Sequence, residues 1–186
     1  MTSIDHLEQI FRQVGARLVS KPDFKTRGIC CSGLVPAKAI VDLAKLLAAE
    51  DHTLLDVSVL EAKEGFLITY HFDSFSEPGR LAARVLAPRE NPVVPSLHSV
   101  FQGAEWHERE SHDFYGVRFD GNPNLVPLLL PEDFSGPPPL RKAPGDLAGL
   151  ADLGVFDGSE ILDPSCASLV PARPAPPAAV SEARDA

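Results

Sequence analysis

Apolar residues recur at helical spacing in two parts of the N-terminal half of the chain. Between residues 4 and 14 they fall three or four positions apart, with a serine or aspartate able to cap the start and Gly15 the end. Residues 36–52, "PAKAIVDLAKLLAAEDH", give the clearest pattern, because proline suits a first turn and the apolar side chains form one stripe. We therefore predict two amphipathic helices here.

Alternating apolar and polar residues predict strands in the same half. Two short apolar runs, residues 16–20 and 28–34, lie between the two predicted helices in the sequence. Three longer runs follow the second helix, at residues 53–64, 65–74 and 79–89. Lys63, Glu64 and Gly65 form the turn between the first two of these longer runs. Helices followed by adjacent strands predict an α+β fold, with helices packed on one face of a small, mostly antiparallel sheet.

Proline and glycine divide the C-terminal half. Residues 96–116 should form one or two short helices, with Ser96 as a possible cap, but residues 121–144 hold too many prolines and glycines for long regular elements. The composition after Pro164, mostly alanine, proline and small polar residues, is typical of disorder. The predicted organisation is an α+β domain (1–120), an extended docking arm (121–144), a short ordered or partly ordered segment (145–163) and a disordered tail (164–186).

The composition, 44% hydrophobic and 23% charged residues, is typical of a globular protein. A net charge of −9 argues against nucleic acid or an anionic membrane as a direct partner. No apolar run approaches the roughly 20 residues that span a bilayer, and the N-terminus lacks the basic start of a signal peptide, so we expect a cytoplasmic protein. Cys30 and Cys31 are adjacent and Cys166 lies in the tail, which predicts neither a disulfide framework nor an iron–sulfur cluster.

The stretch "EWHERESHDFYGVRF", residues 105–119, has the residue types of a catalytic or metal site. It nearly repeats the zinc-protease pattern HExxH, but its two histidines, His107 and His112, are five positions apart. On a regular helix they diverge by about 140°, whereas the histidines of HExxH share one face. We therefore expect no metal to be bound by this pair.

Acid–base catalysis by the carboxylates of this stretch is also disfavoured. Arginine lowers the pKa of neighbouring carboxyl groups and keeps them ionised, and no phosphate loop, nucleophile elbow or dinucleotide fingerprint completes a site elsewhere. Charges interleaved with aromatic residues instead indicate a packed, ion-paired junction. We expect Arg109 to be buried in an ion pair with Glu110 or Asp113.

The ordered series "WHERESHDFYGVRFDGNPNL…LLLPEDFSGPPPLRK" resembles the thirty-kilodalton subunit family of respiratory complex I, the C subunits of NADH-quinone oxidoreductases. Members typically show E-R-E, D-x-[FY]-G, F-x-G-x-P-x-L, L-P-x-D-[WF]-x-G and P-L-R-K in this order, and the resemblance runs from about residue 91 to 142. The family-motif and subunit-docking residues that it marks are Trp106, Glu108, Arg109, Glu110, Asp113, Gly116, Phe119, Gly121, Pro123, Leu130, Pro131, Asp133, Gly136, Leu140, Arg141 and Lys142.

The resemblance implies a non-catalytic, cofactor-free subunit in the peripheral arm of a membrane-bound, ion-translocating oxidoreductase complex, on the cytoplasmic side. Its implied partners are a large subunit related to that of nickel–iron hydrogenases and a small iron–sulfur subunit. His112, Asn122 and Val126-Pro127 look more like the versions in energy-converting hydrogenases, and "PPPLRKAP" replaces the commoner "HPLRKDYP". Complex I and such a hydrogenase therefore both stay open.

The arm is expected to be the main docking element. Leu128, Leu129 and Leu130 would form an apolar block on the partner, and Arg141 and Lys142 would meet acidic groups there. In the alternative, the arm folds back onto its own sheet. Two further hypotheses are a free-standing enzyme that uses the Glu/His-rich helix and a regulatory module with a Pro-rich ligand tail.

Overall fold

The computed structural model describes residues 3–75 and 79–153, and four α-helices and seven strands lie in these ranges. The helices are α1 (Ile4–Gln13), α2 (Phe24–Arg27), α3 (Ile40–Ala49) and α4 (Ala104–Tyr115), with 3-10 turns at Ala37–Ala39 and Pro144–Asp146. The strands are β1 (Arg17–Ser20), β2 (Cys31–Leu34), β3 (His52–Ala62), β4 (Gly65–Ser74), β5 (Leu81–Ala87), β6 (Val93–Pro95) and β7 (Arg118–Asp120).

Five of these strands form one sheet in the order β1-β2-β5-β4-β3. Its pairs are antiparallel except β2 with β5. The long hairpin β3–β4 arises because both sequences alternate, and Gly65 (φ 151°) closes its turn: a Cβ there would lie 2.2 Å from the carbonyl oxygen of Ala87. The predicted α+β fold with a mostly antiparallel sheet is confirmed.

The main core lies between one face of this sheet and the helices. Alternate residues of β4 point into it, as the strand period of two requires, and meet the apolar stripes of α1 and α3. The fully buried aromatic side chains of this core include Phe11, Phe66, Tyr70, Phe72 and Phe119. A smaller cluster on the opposite face joins Leu34, Leu67 and Leu86 to Leu150, from the chain that follows the arm.

A second, two-stranded sheet pairs β6 with β7 in parallel, and the sequence analysis missed it. Each strand has three residues, too few to establish an alternation. Ser96 follows β6, but it does not cap α4, which begins at Ala104 after Gly103. The Oγ of Ser96 instead accepts a hydrogen bond from the backbone N–H of His98, 3.1 Å away, and so caps a turn.

The arm, residues 121–144, contains turns but no α-helix or strand, and a 3-10 turn begins at its last residue, Pro144. The chain after it returns to the sheet, where the N–H of Lys63 donates to the carbonyl of Ala148 and that of Leu150 to Glu64 Oε2. The predicted tail, 164–186, and residues 154–163 of the preceding segment lie outside the described residues. None of the helices in residues 3–75 and 79–153 is long and apolar enough to cross a membrane.

Candidate functional site: helix α4 and the arm

Helix α4 buries a polar face. Its buried residues are Ala104, Glu108, Ser111 and Asp113, so two carboxylates lie where a surface helix normally places apolar side chains. Gly116 ends the helix in the left-handed conformation (φ 75°) and donates its N–H to the carbonyl of His112. Buried carboxylates require hydrogen-bond donors, and each of these two finds them outside the helix.

Glu108 is completely buried and accepts three hydrogen bonds. The donors are the Ser96 hydroxyl at 2.6 Å, the Leu97 N–H at 2.7 Å and the Asn122 side-chain amide at 2.8 Å. Burial raises the pKa of Glu108, and these hydrogen bonds offset only part of that effect. Glu108 therefore connects α4 both to the turn after β6 and to the first residues of the arm.

Asp113 holds the middle of the arm. A single oxygen, Oδ2, accepts hydrogen bonds from three successive backbone N–H groups, those of Leu128, Leu129 and Leu130, at 2.9, 2.8 and 3.1 Å. Successive N–H groups that converge in this way form an anion-binding nest. Burial acts to raise the pKa of Asp113, but these donors, with His112, outweigh it and leave the pKa lowered. The backbone of the apolar block is thus fixed by a carboxylate.

Arg109 does not form the ion pair expected with Glu110 or Asp113. Its Nε and Nη2 donate to the carbonyl oxygens of Val126 and Pro127, at 3.0 and 2.8 Å. An arm without a strand ladder leaves such carbonyl groups without partners, and a guanidinium can bind two of them at once. Its nearest carboxylate, Glu105 on the preceding turn, lies 3.8 Å away, and Glu110 is exposed.

The two histidines of α4 face different partners. His107 Nδ1 lies 3.4 Å from Asp56 Oδ1 on β3, whereas His112 Nδ1 lies 3.0 Å from the carbonyl oxygen of Val117. Within residues 3–75 and 79–153, no three His, Cys, Asp or Glu side chains are grouped so that they could hold a metal ion. Apart from the exposed Glu110, the charged side chains of α4 contact the arm, β3, the turn after β6 or the segment that follows the helix.

The C-terminal end of the arm is bound to its own domain by Glu61, a residue that the sequence analysis missed. The Glu61 side chain is fully buried and accepts hydrogen bonds from Arg141 Nε (3.1 Å), the Lys142 N–H (2.6 Å) and Arg89 Nη2 (2.8 Å). The Arg141 guanidinium also lies 4.8 Å from the centroid of the Phe66 ring. The expected acidic group for Arg141 therefore lies in the same chain, and here the arm does fold back.

A sequence signal for Glu61 exists. It continues the alternation of Val57 and Val59 on β3, so it shares the core-facing side of that strand, where a charge requires partners. Its partner Arg141 lies 80 positions away and cannot be predicted from that local pattern.

The remaining motif residues shape the arm. Gly116 leaves room for Pro138, whose Cγ would lie 3.2 Å from an added Cβ, and Gly136 leaves room for the ring of Phe134, at 2.8 Å. Phe119 on β7 is buried in the main core, and Gly121 turns the chain with a φ of 94°. Pro123, Pro131 and Asp133 are exposed.

Large apolar side chains are exposed on and beside the arm. We call this set the arm surface: Trp106, Val126, Leu129, Phe134 and Leu140, with exposed fractions of 63%, 49%, 60%, 43% and 49%. Leu129 is thus the exposed member of the Leu128–Leu130 block, whose other two members are partly buried. Arg109 joins two members of the set, because it binds the Val126 carbonyl and lies 6.0 Å from the centroid of the Trp106 ring. Exposed apolar sets of this kind mark interaction surfaces.

A sequence model of the family described as "Respiratory-chain NADH dehydrogenase, 30 Kd subunit" matches residues 34–145. The chain belongs to this family. The match includes α3, β3 to β7, α4 and the whole arm, so it extends well upstream of the motif series. The membership predicted from the five motif blocks is therefore confirmed.

Curated relatives of this 30 kDa family come from different complexes. The C subunit of NADH-quinone oxidoreductase from Roseiflexus sp. (strain RS-1) is 37% identical over 115 residues, which is 58% of this chain and 66% of that protein. The C subunit of the F(420)H(2) dehydrogenase from Methanosarcina mazei is 36% identical over 108 residues, which is 57% of this chain and 68% of that protein. The chain thus spans just under two thirds of the first relative's length.

Two solved structures share the fold. A trypsin-resistant fragment of Nqo5 superposes with a TM-score of 0.55 at 24% identity, covering 67% of this chain and all of that fragment. A chain of the membrane-bound sulfane sulfur reductase, an archaeal respiratory membrane complex, gives a TM-score of 0.52 at 23% identity, covering 63% of this chain and 70% of that chain. At these identities the likeness concerns the fold alone.

Proposed function

We propose that this chain is a non-catalytic subunit of the peripheral arm of a membrane-bound, ion-translocating oxidoreductase complex. Its family membership supports this role, and so do the names of its relatives, which are subunits of NADH-quinone oxidoreductase and of F(420)H(2) dehydrogenase. The carboxylates of α4 that looked catalytic, Glu108 and Asp113, are occupied by donors of the same chain. The role of the chain is then to scaffold its neighbours.

The exposure of the apolar side chains of the arm surface is the main observation that supports this proposal. The backbone of this part of the arm is held by hydrogen bonds to the side chains of Arg109 and Asp113, while the side chains of Leu129 and Trp106 are exposed to solvent. A segment ordered in this way loses little further entropy on docking, which favours binding. Exposed tryptophan and leucine on a fixed backbone are suited to fill pockets of a partner. The same side chains would be a liability on a protein without a partner.

The partners that we propose are a large subunit related to the catalytic subunit of nickel–iron hydrogenases and a small iron–sulfur subunit. Both follow from the family resemblance, as does a peripheral position of this chain on the cytoplasmic side of the cell membrane. Arg141 is engaged by Glu61, so of the two basic residues at the end of the arm only the Lys142 ammonium has no described partner in its own chain. Lys142 is thus the residue available to an acidic group of the partner.

The proposal covers two kinds of complex. A quinone-reducing enzyme fits the Roseiflexus relative, and the sequence features at His112, Asn122 and Val126 resemble the energy-converting hydrogenases. The scaffold function is the same in both, because none of the described contacts of α4 and the arm requires a particular electron donor.

Co-purification tests the proposal. Affinity-tagged full chain is expressed in its native cells, and the solubilised membrane fraction is purified by the tag. Leu129→Glu should abolish recovery of the other subunits, because it places a charge in an apolar interface. Its own folding should be unchanged, since the side chain is 60% exposed.

Ile4→Glu is the matched control, because Ile4 is 45% exposed on α1 and is no part of the arm. It should leave recovery unchanged. Lys142→Glu should weaken recovery while the melting temperature is retained. If Leu129→Glu assembles like the wild type, or if wild-type chain is recovered alone, the proposal is wrong.

A further inference from the structure

The face of the five-stranded sheet opposite the main core, which we call the outer face, carries two apolar regions. At the first, Leu67 on β4 packs against Leu150. Four residues further along β4, and so about 13 Å away, His71 lines a cavity of about 390 Å³. Leu67 and His71 share the outer face because their neighbours Phe66 and Phe72 point into the main core.

The cavity provides the second apolar region. Its apolar side chains are Ile29 and Leu55, and Leu55 is 38% exposed. The rest of the lining is polar or glycine, namely Arg27, Gly28, Asp56, His71 and Arg80. Asp56 is paired with a histidine of α4, at 3.4 Å, and Arg80 with Asp73, at 3.6 Å. The lining therefore holds charges of both signs, and covering its apolar side chains is the main gain that an occupant could bring.

A polar row separates the two apolar regions. Ser58 on β3 lies opposite Thr69 on β4, and both face outwards because Val57 and Ile68 beside them belong to the main core. Ser58 is exposed and Thr69 is partly buried. Along the strands, the outer face thus changes from apolar to polar and back to apolar.

The described part of the chain ends beside the first apolar region. Leu150 is 2% exposed in that region, and its N–H donates to Glu64 Oε2 at 3.0 Å. Leu153 closes a turn by donating its N–H to the carbonyl of Gly149 at 3.1 Å, and its own side chain is 39% exposed. The residues that follow Leu153 therefore start next to the outer face.

The sequence of these following residues repeats the order of the outer face. Residues 155–162, "VFDGSEIL", consist of an apolar pair, four polar or glycine residues and a second apolar pair. Phe156 and Ile161 are five positions apart, and an extended chain of that length spans up to about 17 Å. This reach covers the separation of about 13 Å between the levels of Leu67 and His71 on β4.

We propose that residues 155–162 bind across the outer face of their own chain, with Phe156 at the first apolar region and with Ile161 and Leu162 in the cavity. Because the segment is tethered at Leu153, its effective concentration at this face is high, which favours it over a second copy or a separate partner. The proposal does not depend on the scaffold function, since no residue of the arm surface lines the cavity.

Thiol labelling of the full chain with a maleimide tests this contact. Leu55→Cys places a reporter thiol at the cavity, and Cys166→Ser removes the thiol of the tail. Cys30 and Cys31 are buried, so they should label slowly as long as the chain stays folded. Ser58→Cys, on the polar row, gives a second reporter that leaves the cavity lining intact.

Ile161→Ser/Leu162→Ser in the full chain should speed the labelling of both reporters about tenfold, as expected when the burial of two aliphatic side chains is lost. Leu169→Ser/Val170→Ser is the matched control, since it changes an adjacent apolar pair further along the tail. It should change both labelling rates by less than about twofold. The two buried native thiols should stay slow in every variant, which shows that the domain is folded.

Gln13→Cys checks that the effect is confined to the outer face, because Gln13 is exposed on α1, in the helix layer. Its labelling rate should be equal in all variants. The proposal is refuted if Ile161→Ser/Leu162→Ser leaves the reporters at the parent rate, or if the matched control speeds them as much. Protection of the reporters that rises with protein concentration would assign the outer face to a second copy and would also refute it.

Discussion

Glu61→Gln should release the C-terminal end of the arm from the domain. The wild-type carboxylate is fully buried and receives donors from Arg89, Arg141 and the Lys142 backbone. Glutamine has nearly the same volume, so packing is conserved and only the charge and one acceptor are lost. Its amide N–H₂ would also face donors instead of complementing them.

The size of the expected loss of stability depends on how exposed the partners of Glu61, Arg89 and Arg141, are to solvent. A hydrogen bond to a charged group contributes about 1.5–3 kcal/mol, and removing one partner of a fully buried ion pair costs about 3–5 kcal/mol. The Arg89 and Arg141 side chains are 22% and 33% exposed, so water can still solvate both after the substitution. We therefore expect the free energy of unfolding to fall by about 2–3 kcal/mol, or about 5–10 °C in melting temperature.

Urea unfolding of the full chain measures the loss of stability, and hydrogen exchange shows which backbone amides become less protected. The amides of Leu140 and Lys142, which donate to Phe114 and Glu61, should exchange faster in the variant. Glu110→Gln is the control, since Glu110 is exposed on α4, and it should stay within about 0.5 kcal/mol of the wild type. A Glu61→Gln chain as stable as this control, with the same amide protection, would refute the role given to Glu61.

Four further predictions concern other parts of the chain. Asp113→Asn should lower the free energy of unfolding by about 1–3 kcal/mol. Because the folded-state pKa of Asp113 is lowered, the difference in stability between the wild type and the variant should shrink as pH falls through that pKa. A difference that does not depend on pH would contradict the role given to Asp113. The pKa of Glu108 is raised, so its contribution to stability should decline as pH rises through that pKa, and a carboxyl NMR titration with an inflection at or below the ordinary value of 4.5 would contradict this. Metal analysis of the full chain should find no stoichiometric zinc; zinc that is lost in a His107→Ala/His112→Ala variant would overturn this expectation. Truncation after Asp163 should leave co-purification intact, and failure to assemble would show that the tail is needed.

Local patterns in the sequence were sufficient to predict the strands of the five-stranded sheet, but not their order or the parallel pairing of β2 with β5. The run predicted as a strand, residues 65–74, coincides with β4, because one face of that strand is buried against helices and the alternation is complete. The short pair β6 and β7 could not be predicted, since three-residue strands carry no period and their pairing joins residues 25 positions apart, as Val94 and Phe119.

The contacts of the candidate site were harder to predict than its residues. The motif series located Arg109 and Asp113, but helix spacing favoured an ion pair between them, and the structure uses both to bind the backbone of the arm. The reason is that unpaired carbonyl and N–H groups of a proline-rich segment compete for these side chains, and helical spacing does not reveal them. The contact between Arg141 and Glu61 was missed for a similar reason, since the two residues lie 80 positions apart.

The most direct test of the central claim, that the arm surface contacts neighbouring subunits, is hydrogen exchange on the assembled complex compared with the free chain. We predict strong additional protection in the complex for peptides covering residues 126–134, and little change for peptides from α1. Equal exchange of residues 126–134 in the free and assembled chain, with new protection confined to α1 and α3, would contradict the account.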